Sequence, residues 1–153
     1  MGPNDEVAEL SCNIDDMTGE ELGQACRTLM EEGALDVYCI PLDMKKDRPG
    51  TMLSCLCSPQ RADEFAALIL KHTSSFGVRL SLQKRYILDR RIEEIESPLG
   101  TIKLKIGSGY GLEKAKLEYE DLEALARRQG ISYREAERRI WAFLEAQGKS
   151  PSC

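Results

Sequence analysis

The chain predicts an α+β fold in two parts, and three observations carry that prediction. Strand-like alternation and helix-period stripes succeed one another as β-α-β-β-α-β over residues 7–88. From residue 89 to 148 the order changes to two short alternating strands and then two helices. Glycine, proline and serine punctuate the joints between these runs. Two split βαβ units in that order close into a ferredoxin-like sandwich, an antiparallel four-stranded sheet with both helices on one face. The expected boundaries are therefore a ferredoxin-like subdomain at 7–88 and a β-hairpin with a helical hairpin at 89–148.

Val7 to Ile14 is the first strand, with Leu10, Cys12 and Ile14 alternating as on a buried face. The stretch Asn13-Ile14-Asp15-Asp16-Met17-Thr18-Gly19-Glu20-Glu21 turns that strand into a helix. Thr18 and Glu21 have capping-box spacing, so the Thr hydroxyl accepts from the Glu21 N–H while the Glu side chain reaches back. Glu20 to Glu32 is helical, with Leu22, Cys26, Leu29 and Met30 as its apolar stripe and Gly33 as its C-terminal cap. Leu35 to Leu42 is a strand, and Lys45-Lys46-Asp47-Arg48-Pro49-Gly50 is a basic turn. Thr51 to Cys57 is apolar enough to be central. Ser58 caps and Pro59 opens a second helix, which runs to about Lys71 and buries Phe65, Ala66, Leu68, Ile69 and Leu70. After a loop at Thr73-Ser74-Ser75-Phe76-Gly77, the run Val78 to Tyr86 alternates through Val78, Leu80 and Leu82.

In the second part, Arg90 to Glu96 and Thr101 to Ile106 are strands joined by Ser97-Pro98-Leu99-Gly100. Gly107-Ser108-Gly109-Tyr110-Gly111 reads as a flexible turn, without the setting or spacing of a phosphate loop. Two helices follow, Glu118 to Gln129 ending at Gly130, and Ser132 to Ala146 with a second capping-box pair, Ser132 and Glu135. Met1 to Asp5 and Gln147 to Cys153 read as loose ends.

With 153 residues and a net charge of -5, the chain has enough length for a real core and no bulk attraction to nucleic acid or anionic membrane. No apolar run approaches the roughly 20 residues of a membrane span, and no signal-peptide pattern opens the chain, so a cytosolic protein is expected. Cys12, Cys39, Cys55 and Cys57 fall in strands, Cys26 in a helix, and Cys153 at the end. Without Cys-x-x-Cys or Cys/His spacing they read as buried free thiols, Cys55 and Cys57 on one face. A soft-metal site from one or two of them is the alternative.

Asp15 and Asp16 admit two readings. They shape the turn and favour the positive end of the helix, or, held on rigid elements, they bind a hard cation. Basic residues gather at element ends: Lys45, Lys46, Arg48, then Arg79, Lys84, Arg85, then Arg90, Arg91, Lys103, Lys105. Lys103 and Lys105 share one strand face, opposite Ile102, Leu104 and Ile106. Such cations form a solvated face or a local polyanion site, in which arginines grip a triphosphate and a divalent ion bridges it to a carboxylate. His72, the only histidine, sits at a helix end and is a poor candidate for a general base. Trp141, Phe143 and Leu144 read as core. Ala126 to Ser132 echoes a helix-turn-helix, but Glu135 and Glu137 among Arg134, Arg138 and Arg139 make a mixed face, which suits a packed helical hairpin.

Four motifs in order carry a resemblance: Asn13-Ile14-Asp15-Asp16-Met17-Thr18, Met44-Lys45-Lys46-Asp47-Arg48-Pro49-Gly50-Thr51, Thr73-Ser74-Ser75-Phe76-Gly77-Val78-Arg79 and Glu118-Tyr119-Glu120-Asp121. From about Val7 to Ala136 the chain resembles the C-terminal domain of the LarC family, the nickel insertion protein of nickel-pincer nucleotide cofactor biosynthesis. The resemblance implies a cytoplasmic, lyase-type cyclometallase that uses CTP to insert nickel into pyridinium-3,5-bisthiocarboxylic acid mononucleotide. It also implies CTP with Mn2+ or Mg2+ at this domain, a homo-oligomer, and an N-terminal domain of the same protein as partner. Joined to the charge reading, it makes Asp15 and Asp16 the expected ligands of the divalent ion. Lys46, Arg48, Arg79, Arg85, Arg91 and Lys105 form the triphosphate pool, with Lys45, Arg90 and Lys103 as secondary members. Ser74, Ser75 and Gly77 are expected to donate to phosphate or ribose. It names no catalytic residue. Leu117 departs from a common proline and His72 from a common acid. Two other classes stay open: an oligomerisation or binding module without its own chemistry, and a nucleic-acid-binding module, against which the acidic composition argues.

Overall fold

A computed structural model describes residues 2–149. Cys153 and the outermost ends, Met1 and residues 150–153, lie outside the described residues. Two compact units make up the chain, Gly2–Tyr86 and one beginning at Ile87. In the first, β1 (Asp5–Ile14), α1 (Gly19–Glu31), β2 (Asp36–Met44), β3 (Arg48–Cys57), α2 (Ala62–His72) and β4 (Arg79–Arg85) follow in order. All pairings are antiparallel and the strand order is β2-β3-β1-β4, the order two split βαβ units produce. The alternation of β1 sends Ala8, Leu10, Cys12 and Ile14 to one face. There they meet Leu53, Cys55 and Cys57 of β3, Ala25 and Leu29 of α1, and Phe65 and Ile69 of α2. Both helices thus cover the same face.

The second unit contains β5 (Asp89–Ser97), β6 (Gly100–Gly109), β7 (Leu112–Leu117), α3 (Tyr119–Gln129) and α4 (Tyr133–Ala146). Its three strands form an antiparallel meander. Ile102, Leu104 and Ile106 are buried while Thr101, Lys103 and Lys105 are exposed, so the period-2 pattern of β6 sets its faces. The helices close over that face with Leu122, Leu125, Ala126, Ala136, Ile140 and Leu144, and Trp141 and Phe143 pack at its edge. Gly130 caps α3 in the left-handed region at φ 64, where its lack of a Cβ removes the steric cost. The Ala126-to-Ser132 segment is thus the turn of a packed helical hairpin.

Several expectations are corrected. The Gly107 to Gly111 stretch is not a flexible turn. β6 continues through Gly109, Tyr110 and Gly111 turn sharply with φ of 52 and 73, and β7 returns beside β6. Two consecutive positive φ angles give a hairpin the twist its strands need. The subdomain therefore has three strands, not a two-stranded hairpin. The Lys45 to Gly50 turn is narrower than expected, because Arg48, Pro49 and Gly50 already pair with Met44, Asp43 and Leu42. Proline is tolerated in this otherwise central strand because β1 ends at Ile14 opposite Thr51, so Pro49 lies beyond β1 on an open edge.

Ser58 makes no capping bond; Pro59–Arg61 form a 3-10 turn, and α2 starts only at Ala62. Met30 and Leu70 are 46% and 43% exposed, and Ala25 takes the buried place on α1 instead. Leu80 and Leu82 alternate as expected but stay exposed on edge strand β4. Neither end of the described chain is wholly loose: Asp5 pairs with Arg85, and Lys149 reaches Glu93 at 2.5 Å. Cys12, Cys55 and Cys57 are buried as small hydrophobes, but Cys39 is exposed and Cys26 half-buried.

Candidate functional site

The first unit gathers chemistry where β1 ends. Ile14 is its last residue, Asp15 and Asp16 bend the chain, and α1 begins after Thr18. The capping box is complete: Thr18 Oγ1 accepts from the Glu21 N–H at 3.3 Å and Glu21 Oε2 accepts from the Thr18 N–H at 2.7 Å. Those bonds, the Thr18 backbone first, hold the Glu21 carboxyl below its ordinary range. The bend is thereby fixed between a central strand and a capped helix.

Asp15 Oδ2 lies 3.6 Å from Arg48 Nη1 at the start of β3. Asp16 Oδ1 accepts from Ser74 Oγ, and the Ser74 N–H points at the Met17 sulfur at 3.3 Å. The 73–77 loop is tied to the acidic bend from the other side. Thr73 closes α2 by donating to the Ile69 carbonyl at 2.7 Å, and Ser75 Oγ donates to the Gly77 carbonyl at 2.7 Å. A groove of about 320 Å³ between the start of α1 and the end of α2 has Asp16, Glu21, Lys71, His72 and Ser74 in its walls.

Arg79 opens β4 and donates to Asn13 Oδ1 at 2.9 Å, with the Met52 sulfur 3.6 Å away. The register sets Asn13, Met52, Arg48 and Arg79 on the sheet face away from the helices. Arg48 and Arg79 are thus two cations on the open face near the acidic bend. Lys45 and Lys46 are exposed at the β2–β3 tip, Lys46 at φ 62. Gly77 is also exposed; a Cβ there would meet nothing within 4 Å, and its φ needs no glycine.

The remaining candidates belong to other elements. Arg85 shares a face with Arg79 but is six residues along β4, about 20 Å by strand rise, and grips Asp5 at 2.5 Å. Arg91 and Lys105 belong to the second unit. Arg91 lies 3.3 Å from both Glu93 and Glu113, and Lys105 lies 3.1 Å from Glu118. Arg90 and Lys103 are exposed on the same sheet. The acids of the Glu118 to Asp121 motif do structural work: Asp121 accepts from the Lys103 N–H at 2.9 Å, and the Glu118 N–H donates to the Lys103 carbonyl at 2.9 Å.

Two constellations were not visible in the sequence. On the open face, Glu9 Oε1 accepts from Tyr38 and Ser54 at 2.8 Å each, and Oε2 accepts from Gln83. Four strands supply those four residues, so no local spacing announces them. The second is a pair of sulfurs, Cys26 of α1 and Cys39 of β2, 3.7 Å apart.

The family model for the nickel insertion protein matches residues 2–137. The chain belongs to the nickel insertion protein family, the LarC family. It is 43% identical over 124 residues to the pyridinium-3,5-bisthiocarboxylic acid mononucleotide nickel insertion protein of Staphylococcus epidermidis, covering 80% of this chain and 31% of that one. The protein of the same name from Acetivibrio thermocellus is 37% identical over 123 residues, covering 80% and 30%. Among solved structures, the apo form of LarC2, the C-terminal domain of a cyclometallase involved in the synthesis of the NPN cofactor of lactate racemase, superposes with a TM-score of 0.86. It is 34% identical, over 92% of this chain and 98% of that one. The chain spans about a third of the length of the curated relatives it matches. Among the described residues, no helix is long and apolar enough to cross a membrane.

Proposed function

We propose that this chain is the nucleotide- and metal-binding portion of a cyclometallase that inserts nickel into pyridinium-3,5-bisthiocarboxylic acid mononucleotide, using CTP. The observation that carries the proposal is the convergence of Asp15, Asp16, Arg48, Arg79 and the 73–77 loop on one end of β1 in a member of this family. The donors fit a hard divalent ion such as Mn2+ or Mg2+: two carboxylates on a fixed bend, with the remaining positions left to phosphate and water. When bound, that ion neutralises phosphate charge. Arg48 and Arg79 are suited to phosphate oxygens, since a guanidinium offers a fixed fork of donors. Lys45 and Lys46 at the exposed β2–β3 tip supply point charges. Ser74, Ser75 and Gly77 would donate to phosphate or ribose after giving up the bonds they make here, Ser74 Oγ to Asp16, Ser75 Oγ to the Gly77 carbonyl and the Gly77 N–H to Ser75 Oγ; a glycine that its own fold does not require leaves room for close approach. Arg85, Arg91 and Lys105 would first have to release their carboxylates.

Nickel and the mononucleotide are substrates in this reading, and the further length of the relatives supplies the rest of the catalyst. Calorimetric titration of CTP with Mn2+ tests it. Asp15→Ala and Asp16→Ala are expected to weaken binding at least about tenfold, the order seen when a metal site loses a supporting group. Parent-like binding by both would remove the metal role. The exposed Leu80 and Leu82 on edge strand β4 favour a second reading, a homo-oligomerisation module. Failure of CTP with Mn2+ to raise the melting temperature, together with dissociation of an oligomer by Leu80→Glu, would select it.

A further inference from the structure

We infer that Cys26 and Cys39 form a two-thiolate site for a thiophilic divalent metal ion, separate from the hard-cation site at Asp15 and Asp16. The two sulfurs stand 3.7 Å apart, one on a helix and one on a strand, and both cysteines are free. Two thiolates on one tetrahedral ion with bonds of about 2.3 Å stand roughly 3.7–3.8 Å apart. A metal ion therefore bridges them without moving α1 against β2. A disulfide would require the sulfurs to close to about 2.0 Å. Cys39 is exposed, which gives a cation a path from solvent, and β2 is an edge strand.

The ligand type is also selective. Thiolates prefer zinc and other borderline or soft ions to magnesium or manganese. Among the described residues, no group of three or more His, Cys, Asp or Glu is arranged to hold a metal ion. The protein would thus supply two ligands and leave the other positions to water or to small molecules, as suits a site that passes an ion on. Burial first, and then the neighbouring Cys39 sulfur, push the Cys26 thiol up to about 11. A metal binds cysteine as thiolate, so its binding releases protons and strengthens as pH rises.

The test uses the full reduced chain, with Zn2+ and Ni2+ as separate probes in equilibrium dialysis. One ion per chain is expected, and Cys26→Ser and Cys39→Ser should each weaken its retention more than about tenfold, with melting in metal-free buffer reporting that each variant folds. If a variant does not fold, the parent decides alone. Saturating Zn2+ should slow maleimide labelling of Cys39 at least tenfold, read by peptide mass spectrometry. Mn2+ with CTP should bind both serine variants like the parent, which separates this site from the proposed nucleotide site. Unchanged Zn2+ retention in folded variants, unprotected Cys39 at saturating metal, or Zn2+ retention lost instead in Asp15→Ala would each overturn the inference.

Discussion

A Cβ on Gly50 would collide with the Met44 sulfur and stand 2.9 Å from the Ile14 carbonyl oxygen, one residue before Asp15. The glycine lets β2, β3 and β1 close up beside the acidic bend. Gly50→Ala is expected to cost about 1–3 kcal/mol by overpacking, read from urea denaturation; an unchanged midpoint would show that the neighbours yield freely. Glu9 makes a different prediction. The Ser54 and Tyr38 hydroxyls, and then the Gln83 amide, hold its carboxyl below the ordinary 4.5. A folded-state value below the unfolded one means that the unfolded chain binds more protons. The stabilisation is therefore present above the ordinary value and lost as pH falls through the depressed one. Glu9→Gln should flatten the acid limb of melting temperature against pH, and an unchanged limb would show that this network carries no linkage. Neither effect was legible in the sequence, since each depends on residues brought together from several strands.

At the scale of elements, two serine or threonine signals that look alike behave differently. Thr18 completes a capping box, whereas Ser58 caps nothing because Pro59 starts a 3-10 turn. Thr18→Ala should lower stability by about 1 kcal/mol, while Ser58→Ala should leave the urea midpoint nearly unchanged; equal losses would contradict this contrast. The Thr18 box was readable because all its partners lie within four residues. β7 was not, because Leu112–Leu117 alternates weakly among charges and is a strand only through its register with β6. The arginines of β4 teach the same lesson. Arg79 and Arg85 have the same composition and face, but register places one beside Asn13 and the other on Asp5.

For the whole molecule, a net charge of -5 and a few clustered cations make opposite demands on polyanions. A short, locally held triphosphate is compatible with both, whereas long nucleic acid meets the net repulsion as well. No electrophoretic shift of DNA or RNA is expected at physiological salt, and a salt-sensitive shift would reopen the nucleic-acid reading. The sequence by itself determined the βαββαβ order, the two apolar cores and the capped acidic bend, because periodicity, turn residues and capping act over a few neighbouring positions. Only the tertiary structure decided which cations stand near Asp15 and Asp16, which glycine makes room beside them, and that two cysteines 13 positions apart touch. Those outcomes depend on strand register and helix packing, which join residues that no local pattern links.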